Sequence, residues 1–213
     1  MNKSISKKMS LAIITFIILV VVSSGLLILK IVLWNDYDVT TYYEKDYRKS
    51  METIKKDPND LQARLSLLEG FYRKNQFEDA EVQIEYIVEN ADEQFPHLNK
   101  VKYYRALLNA KKGDFDKAIE DFSEIVKTDV TNGDAWLSLG HVYYSIGEYE
   151  RSIEAVSVAE ELLKTSAEPI YLKSLILFVN GEFDTSQILL ERALSIDPLH
   201  LNSQELLSRI VER

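Results

Sequence analysis

Gly113-Asp114-Phe115-Asp116, Gly147-Glu148-Tyr149-Glu150 and Gly181-Glu182-Phe183-Asp184 repeat one pattern three times: glycine, acid, aromatic, acid. The aromatics stand 34 residues apart. An earlier variant, Asn75-Gln76-Phe77-Glu78, places its ring 38 residues before Phe115. A period of 34 residues is the length of one helix–turn–helix pair in a stacked array. Each pair has an apolar face that it cannot bury alone, so neighbours must stack on it. The glycine ends the first helix, where the chain needs a left-handed residue. The aromatic is then expected to pack into the next pair.

Outward from Gly147, residues Gly133 to Lys164 form the clearest unit. Trp136, Leu139, Gly140 and Tyr143 lie on its first helix. Ser152, Val156 and Ala159 follow at four- and three-residue steps and so share one face of the second helix. The sequence Trp136-x-x-Leu139-Gly140-x-x-Tyr143 is similar to the first-helix signature of the tetratricopeptide-repeat family. The resemblance extends over about Leu61–Pro198. The unit Asn99–Val130 carries Ala106, Gly113, Phe115, Ala118, Phe122 and Ile125. The unit Ala167–Pro198 carries Ile170, Gly181, Phe183, Ser186, Leu190 and Ala193, with Lys173 where the family has leucine. The first unit, Leu61–Asp92, carries Leu67, Phe71, Phe77, Ala80, Ile84 and Ile87. Extra residues around Ala91–Pro96 account for the 38-residue gap.

The expected fold is therefore all-α. Residues 58–200 form an α-solenoid of about four helix pairs. Residues 201–213 form a C-terminal capping helix, with Leu206, Leu207, Ile210 and Val211 facing inward. Residues 35–57 are a linker or an N-terminal capping helix. There Tyr42, Tyr43, Tyr47, Met51 and Ile54 recur at near-helical spacing before Pro58. The rival reading of that stretch is a helix continuing from the segment before it.

That preceding segment is apolar. Met9 to Leu29 contains no charge, and at about 1.5 Å per residue it spans the roughly 30 Å of a bilayer core. It reads as a transmembrane anchor over residues 9–34. A cleaved signal peptide is the alternative, with small residues at Ser23-Ser24-Gly25, but the apolar run continues to Leu33. Lys3, Lys7 and Lys8 precede it without an acid, which places residues 1–8 in the cytoplasm. The expected location is the inner (cytoplasmic) membrane, single-pass, with the array outside, periplasmic or extracellular. Beyond Asn35 stand 21 basic and 34 acidic residues, a net charge of -13. That balance argues against nucleic acid and against anionic lipid surfaces as partners.

Catalysis has little to stand on. The chain has three histidines, His97, His141 and His200, and no cysteine. It has no phosphate-cradling glycine loop, nucleophile elbow or His-Glu-x-x-His. No catalytic, metal or cofactor residues are expected, nor a small-molecule substrate. The paired acids of the repeat turns read as solvated first-turn residues favoured by the helix dipole.

The family resemblance implies that first helices line a concave groove. Leu65, Glu69 and Tyr72 belong to it in the first unit, then Tyr103, Leu107 and Lys111 in the second. Leu137, His141 and Tyr144 follow in the third, and Tyr171, Leu175 and Phe178 in the fourth. Tyrosine beside leucine is the composition of interface cores. Arrays that grip chaperone C-termini clamp a carboxylate with lysine and asparagine. Here Leu65, Glu69, Tyr103 and Leu107 occupy those places. The function expected is a membrane-anchored scaffold that binds protein partners through this groove. Two alternatives stand beside it: a holdase for exported unfolded chains, as in cytochrome c maturation, and an accessory subunit of a larger membrane complex.

Overall fold

Each repeat turns on one left-handed residue. Gly113, Gly147 and Gly181 have φ of 83°, 79° and 84°, and Asn75 holds the equivalent place at 56°. The amide after each reaches back five residues. Gln76 donates to the Phe71 carbonyl, Asp114 to Asn109, Glu148 to Tyr143 and Glu182 to Leu177, all at 2.9 Å. This is the Schellman closure, which satisfies carbonyls that the helix end leaves open. The turn expected from the sequence is thus present four times, once with asparagine, the residue best able to replace glycine there.

These turns punctuate a computed structural model that describes residues 39–92 and 94–212. The predicted spanning segment 9–34 lies outside the described residues. Among the described residues, no helix is long and apolar enough to cross a membrane. The described chain divides at Pro58 into two units. The first contributes one helix, α1 (Val39–Lys56), which ends in Lys55 and Lys56, where cations suit the negative helix terminus.

The second unit is a run of helices. They are α2 (Leu61–Arg73), α3 (Phe77–Asn90), α4 (Leu98–Lys112), α5 (Phe115–Thr128), α6 (Gly133–Ser145), α7 (Tyr149–Leu162), α8 (Glu168–Val179), α9 (Phe183–Ile196) and α10 (Leu201–Val211). The pairs are α2/α3, α4/α5, α6/α7 and α8/α9, and each second helix also packs on the first helix of the next pair. Of the first helices, α2 and α6 begin with oxygen side-chain caps. The Asp60 carboxylate accepts the Ala63 amide at 2.8 Å, and Asn132 Oδ1 accepts that of Ala135 at 3.0 Å.

Close approach within a pair rests on small residues. A methyl group on Gly140 of α6 would sit 2.3 Å from Val156 Cγ2 of α7. The buried Ser152 hydroxyl donates to the Gly140 carbonyl at 2.7 Å. In the fourth pair, Ser174 and Ser186 do the same work, with hydroxyls 2.8 Å apart. Around the second and third pairs a core forms from Ala106, Phe122, Ile125, Leu139, Val142 and Ala155, all nearly solvent-free. Arg105 takes the place in α4 that Leu139 holds in α6. Its Nε donates to Asp121 Oδ2 at 2.8 Å, and Asp121 stands where α7 has Ala155. That ion pair holds the guanidinium more firmly protonated than usual. Lys173 fills the same register in α8, bonding Glu160 at 2.9 Å.

The turn aromatic packs back onto its own pair as well as meeting the next: Phe77 lies 5.7 Å from Tyr72, Tyr149 5.8 Å from Tyr144, and Phe183 5.4 Å from Phe178, while Phe115 packs on the core shared with the next pair. The left-handed turn folds the second helix sharply back, so its first residue meets the last turn of the first helix. In α10, Leu206 is buried as expected and Leu207 and Ile210 are half-buried, but Val211 is 70% exposed. Val211 lies on the side that meets the second helix in the complete pairs.

Candidate functional site

First helices also touch one another, α4 with α6, α6 with α8 and α8 with α10. Helices on the inner side of a curved stack crowd together in this way. The face they share carries eleven of the twelve residues assigned to it from sequence. Glu69, Tyr72, Tyr103, Leu107, Leu137, His141, Tyr144, Tyr171, Leu175 and Phe178 are half-buried, and Lys111 is exposed. Leu65 is the correction. At 2% exposure it belongs to the core and offers no surface to a partner.

The rings are not isolated. Tyr72 lies edge-on to Tyr104 at 5.0 Å, and Tyr104 to Tyr103 at 6.2 Å. Tyr103 reaches both ways: its ring packs 5.5 Å from the buried Phe122, and its hydroxyl lies 3.1 Å from Ser138 Oγ on α6. Tyr103 therefore holds two pairs together as well as facing the groove. Burial raises the hydroxyl pKa of Tyr72, Tyr103, Tyr144 and Tyr171. Tyr104 is pushed to about 12, by burial first and then by the Glu69 carboxylate.

Charges on this face are largely engaged. Glu69 pairs with Lys100 of α4. The Lys111 ammonium sits 4.5 Å from the centre of the Phe77 ring. Glu168, the first residue of α8, lies between two histidines. His141 Nε2 is 3.4 Å from one of its oxygens, and His200 Nε2 is 2.9 Å from the other. His200 caps α10, its Nδ1 accepting the Ser203 amide at 3.3 Å. That leaves Nε2 as the donor to Glu168. The two histidines, His141 first, hold the Glu168 carboxyl below the usual carboxylate range.

Sequence reading missed five contributors: Tyr104, Glu168, His200, Glu205 and Arg209. The His200 ring lies 5.3 Å from Tyr171, and the Arg209 guanidinium 5.2 Å from the centre of Phe178. Helix α10 thus extends the face as a further first helix. The signal was the repeat itself, since Glu205 and Arg209 follow Tyr171 and Leu175 by 34 residues.

A crevice lies elsewhere, between α3, α4 and α5, where Glu81, Arg105, Lys117, Glu120 and Asp121 line it. Arg105 and Asp121 satisfy each other there, and Glu81 is taken by Lys112. Nothing in it converges on a reacting atom. Among the described residues, no three histidine or carboxylate groups are arranged to hold a metal.

A stack of helix pairs with an aromatic face along its first helices defines a helical-repeat scaffold. The tetratricopeptide-repeat family profile matches residues 65–133 and again 103–167. Over residues 65–167 the chain belongs to the tetratricopeptide-repeat family. A repeat-containing protein of Methanocaldococcus jannaschii, MJ1428, is 28% identical over 82 residues. That match spans 38% of this chain and only 14% of the relative's length. Among solved structures, MamA superposes with a TM-score of 0.63 at 20% identity, over 75% of this chain and 91% of MamA. YrrB, described as having an unusual peptide-binding site, gives 0.62 at 13% identity, over 81% and 87%. The second repeat domain of human RPAP3, in complex with an HSP70 peptide, gives 0.51 at 19% identity, over 55% and 99%. At these identities the structural likeness concerns the fold.

Proposed function

We propose that this protein is a non-catalytic scaffold that holds a partner protein in the groove along α4, α6, α8 and α10. The observation that carries the reading is the half-buried row of Tyr103, Leu107, Leu137, Tyr144, Tyr171 and Leu175. Packing between pairs accounts for part of this row, as at Tyr103, but the row stays partly open to solvent, and interface centres are enriched in tyrosine. Structural neighbours that hold peptides support the same use of the fold. The lysine–asparagine clamp for a terminal carboxylate is missing from this groove, so a ligand held through side chains along its length fits better than one held by its end.

The uncharged run Met9–Leu29 and the lysines before it support display of this scaffold from a membrane, N-terminus inward. Affinity purification of the full chain after brief cross-linking tests the reading. One partner in stoichiometric yield supports a scaffold. Many unfolded clients would point to a holdase, and an intact multi-subunit assembly to a fixed subunit. Recovery of no protein at all would overturn the proposal. A reporter active only outside the cytoplasm, fused after Arg213, tests the orientation, and an inactive fusion would sink it.

A further inference from the structure

Each first helix from α6 onward brings a carboxylate to the edge of the aromatic face. Asp134 stands one turn before Ser138, the residue that Tyr103 touches through its hydroxyl. Glu168 stands one turn before Tyr171 on α8. Glu205 occupies on α10 the register that Tyr171 holds on α8, and its charge acts on the Tyr171 hydroxyl. The bases of the groove have partners already: Lys100 is paired with Glu69, Lys111 lies on Phe77 and Arg209 on Phe178. Asp134 and Glu205 are exposed, and neither forms an ion pair among the described residues. Residues 59–213 carry 28 acids against 16 bases, a net charge of -12.

We infer that the groove selects a partner segment bearing arginine or lysine between apolar side chains. This rests on the scaffold reading above. A cation in such a segment meets the negative face of a tyrosine ring and a carboxylate at once. An acidic segment would meet Asp134 and Glu205, whose charges no ion pair among the described residues offsets. The overall negative charge adds attraction at a distance and steers such a segment inward.

Random peptides displayed on phage and panned on the full chain in detergent test this directly. The selected pool should be enriched in arginine and lysine and depleted in acids, with the enrichment weakened by salt. Asp134→Asn with Glu205→Gln should lower retention of the basic pool by about tenfold, a few-fold for each site. Glu85→Gln with Glu89→Gln removes the same charge from exposed positions on α3 and should lower retention far less. Equal loss from both double variants would mean bulk attraction and would overturn the inference. A neutral or acidic pool that is lost on Leu137→Asp with Leu175→Asp would overturn it while leaving the groove reading intact. A pool that ignores Leu137→Asp with Leu175→Asp, or no pool at all, would remove both.

Discussion

Gly140→Ala sets two known effects against each other. Alanine is the better helix former by about 1 kcal/mol, so an exposed mid-helix glycine gains stability from the change. Gly140 is buried, and the added methyl would stand 2.3 Å from Val156 Cγ2, more than 1 Å inside normal carbon contact. Val156 is 0% exposed and cannot swing its methyl into solvent. The helices must therefore separate, stretching the Ser152–Gly140 hydrogen bond at 2.7 Å. Overpacking of this kind costs about 1–3 kcal/mol. The net expectation is destabilisation by roughly 1–2 kcal/mol, a loss of about 2–8 °C for an array of this size. Repeating the change on a Val156→Ala background removes the obstructing methyl. There Gly140→Ala should be neutral or stabilising by up to about 1 kcal/mol, a reversal of sign. Thermal unfolding followed by circular dichroism on all four proteins closes the cycle. Stabilisation by Gly140→Ala on both backgrounds would refute the close approach of α6 and α7.

Other perturbations follow from the same packing. Gly147→Val should cost about 1–3 kcal/mol in a denaturant melt through φ strain alone, because open space surrounds the position; an unchanged midpoint would remove the turn assignment. Asp121→Ala should destabilise by about 1–3 kcal/mol, since Arg105 keeps a third of its side chain in water, while Arg105→Leu with Asp121→Ala, the residues of the third pair, should be neutral or better. A double variant as unstable as the single would show the pair to be needed. Glu168 is depressed in the folded chain, so its contribution is present above the ordinary glutamate range and lost as pH falls through its lower folded value. Unfolding midpoints of wild type and Glu168→Gln should therefore differ at neutrality and converge as pH falls past the ordinary glutamate range and through the lower folded value. A pH-independent gap would remove the ionic role of the His141–Glu168–His200 cluster.

The repeat was legible because spacing encodes it. Glycine at 34-residue intervals, small residues where helices cross and aromatics after the turn are each demanded by geometry that any member of such a stack must satisfy. Which half-buried residues remain available to a partner was less legible. Leu65 shares the register of Tyr103 and Leu137 but is buried, since register assigns a face of a helix and not what covers it. Tyr104, one residue beyond the expected Tyr103, was missed because the ring-to-ring chain from Tyr72 crosses between pairs. Glu168 and His200 meet across 32 residues of chain, a contact between α8 and the start of α10 that no local pattern announces. Arg105 and Lys173 break the apolar period, and only the structure supplies their partners, Asp121 and Glu160.

The most direct measurement of the central claim is photo-cross-linking by site. A photoreactive phenylalanine analogue is placed singly at Tyr144 or Leu175 on the first-helix face, and at Val82 or Val158 on second helices, both of which are exposed. The scaffold account predicts adducts with the partner from Tyr144 and Leu175 and none from Val82 and Val158. Adducts from Val82 or Val158 with silence at Tyr144 and Leu175 would place binding on the opposite side and contradict it.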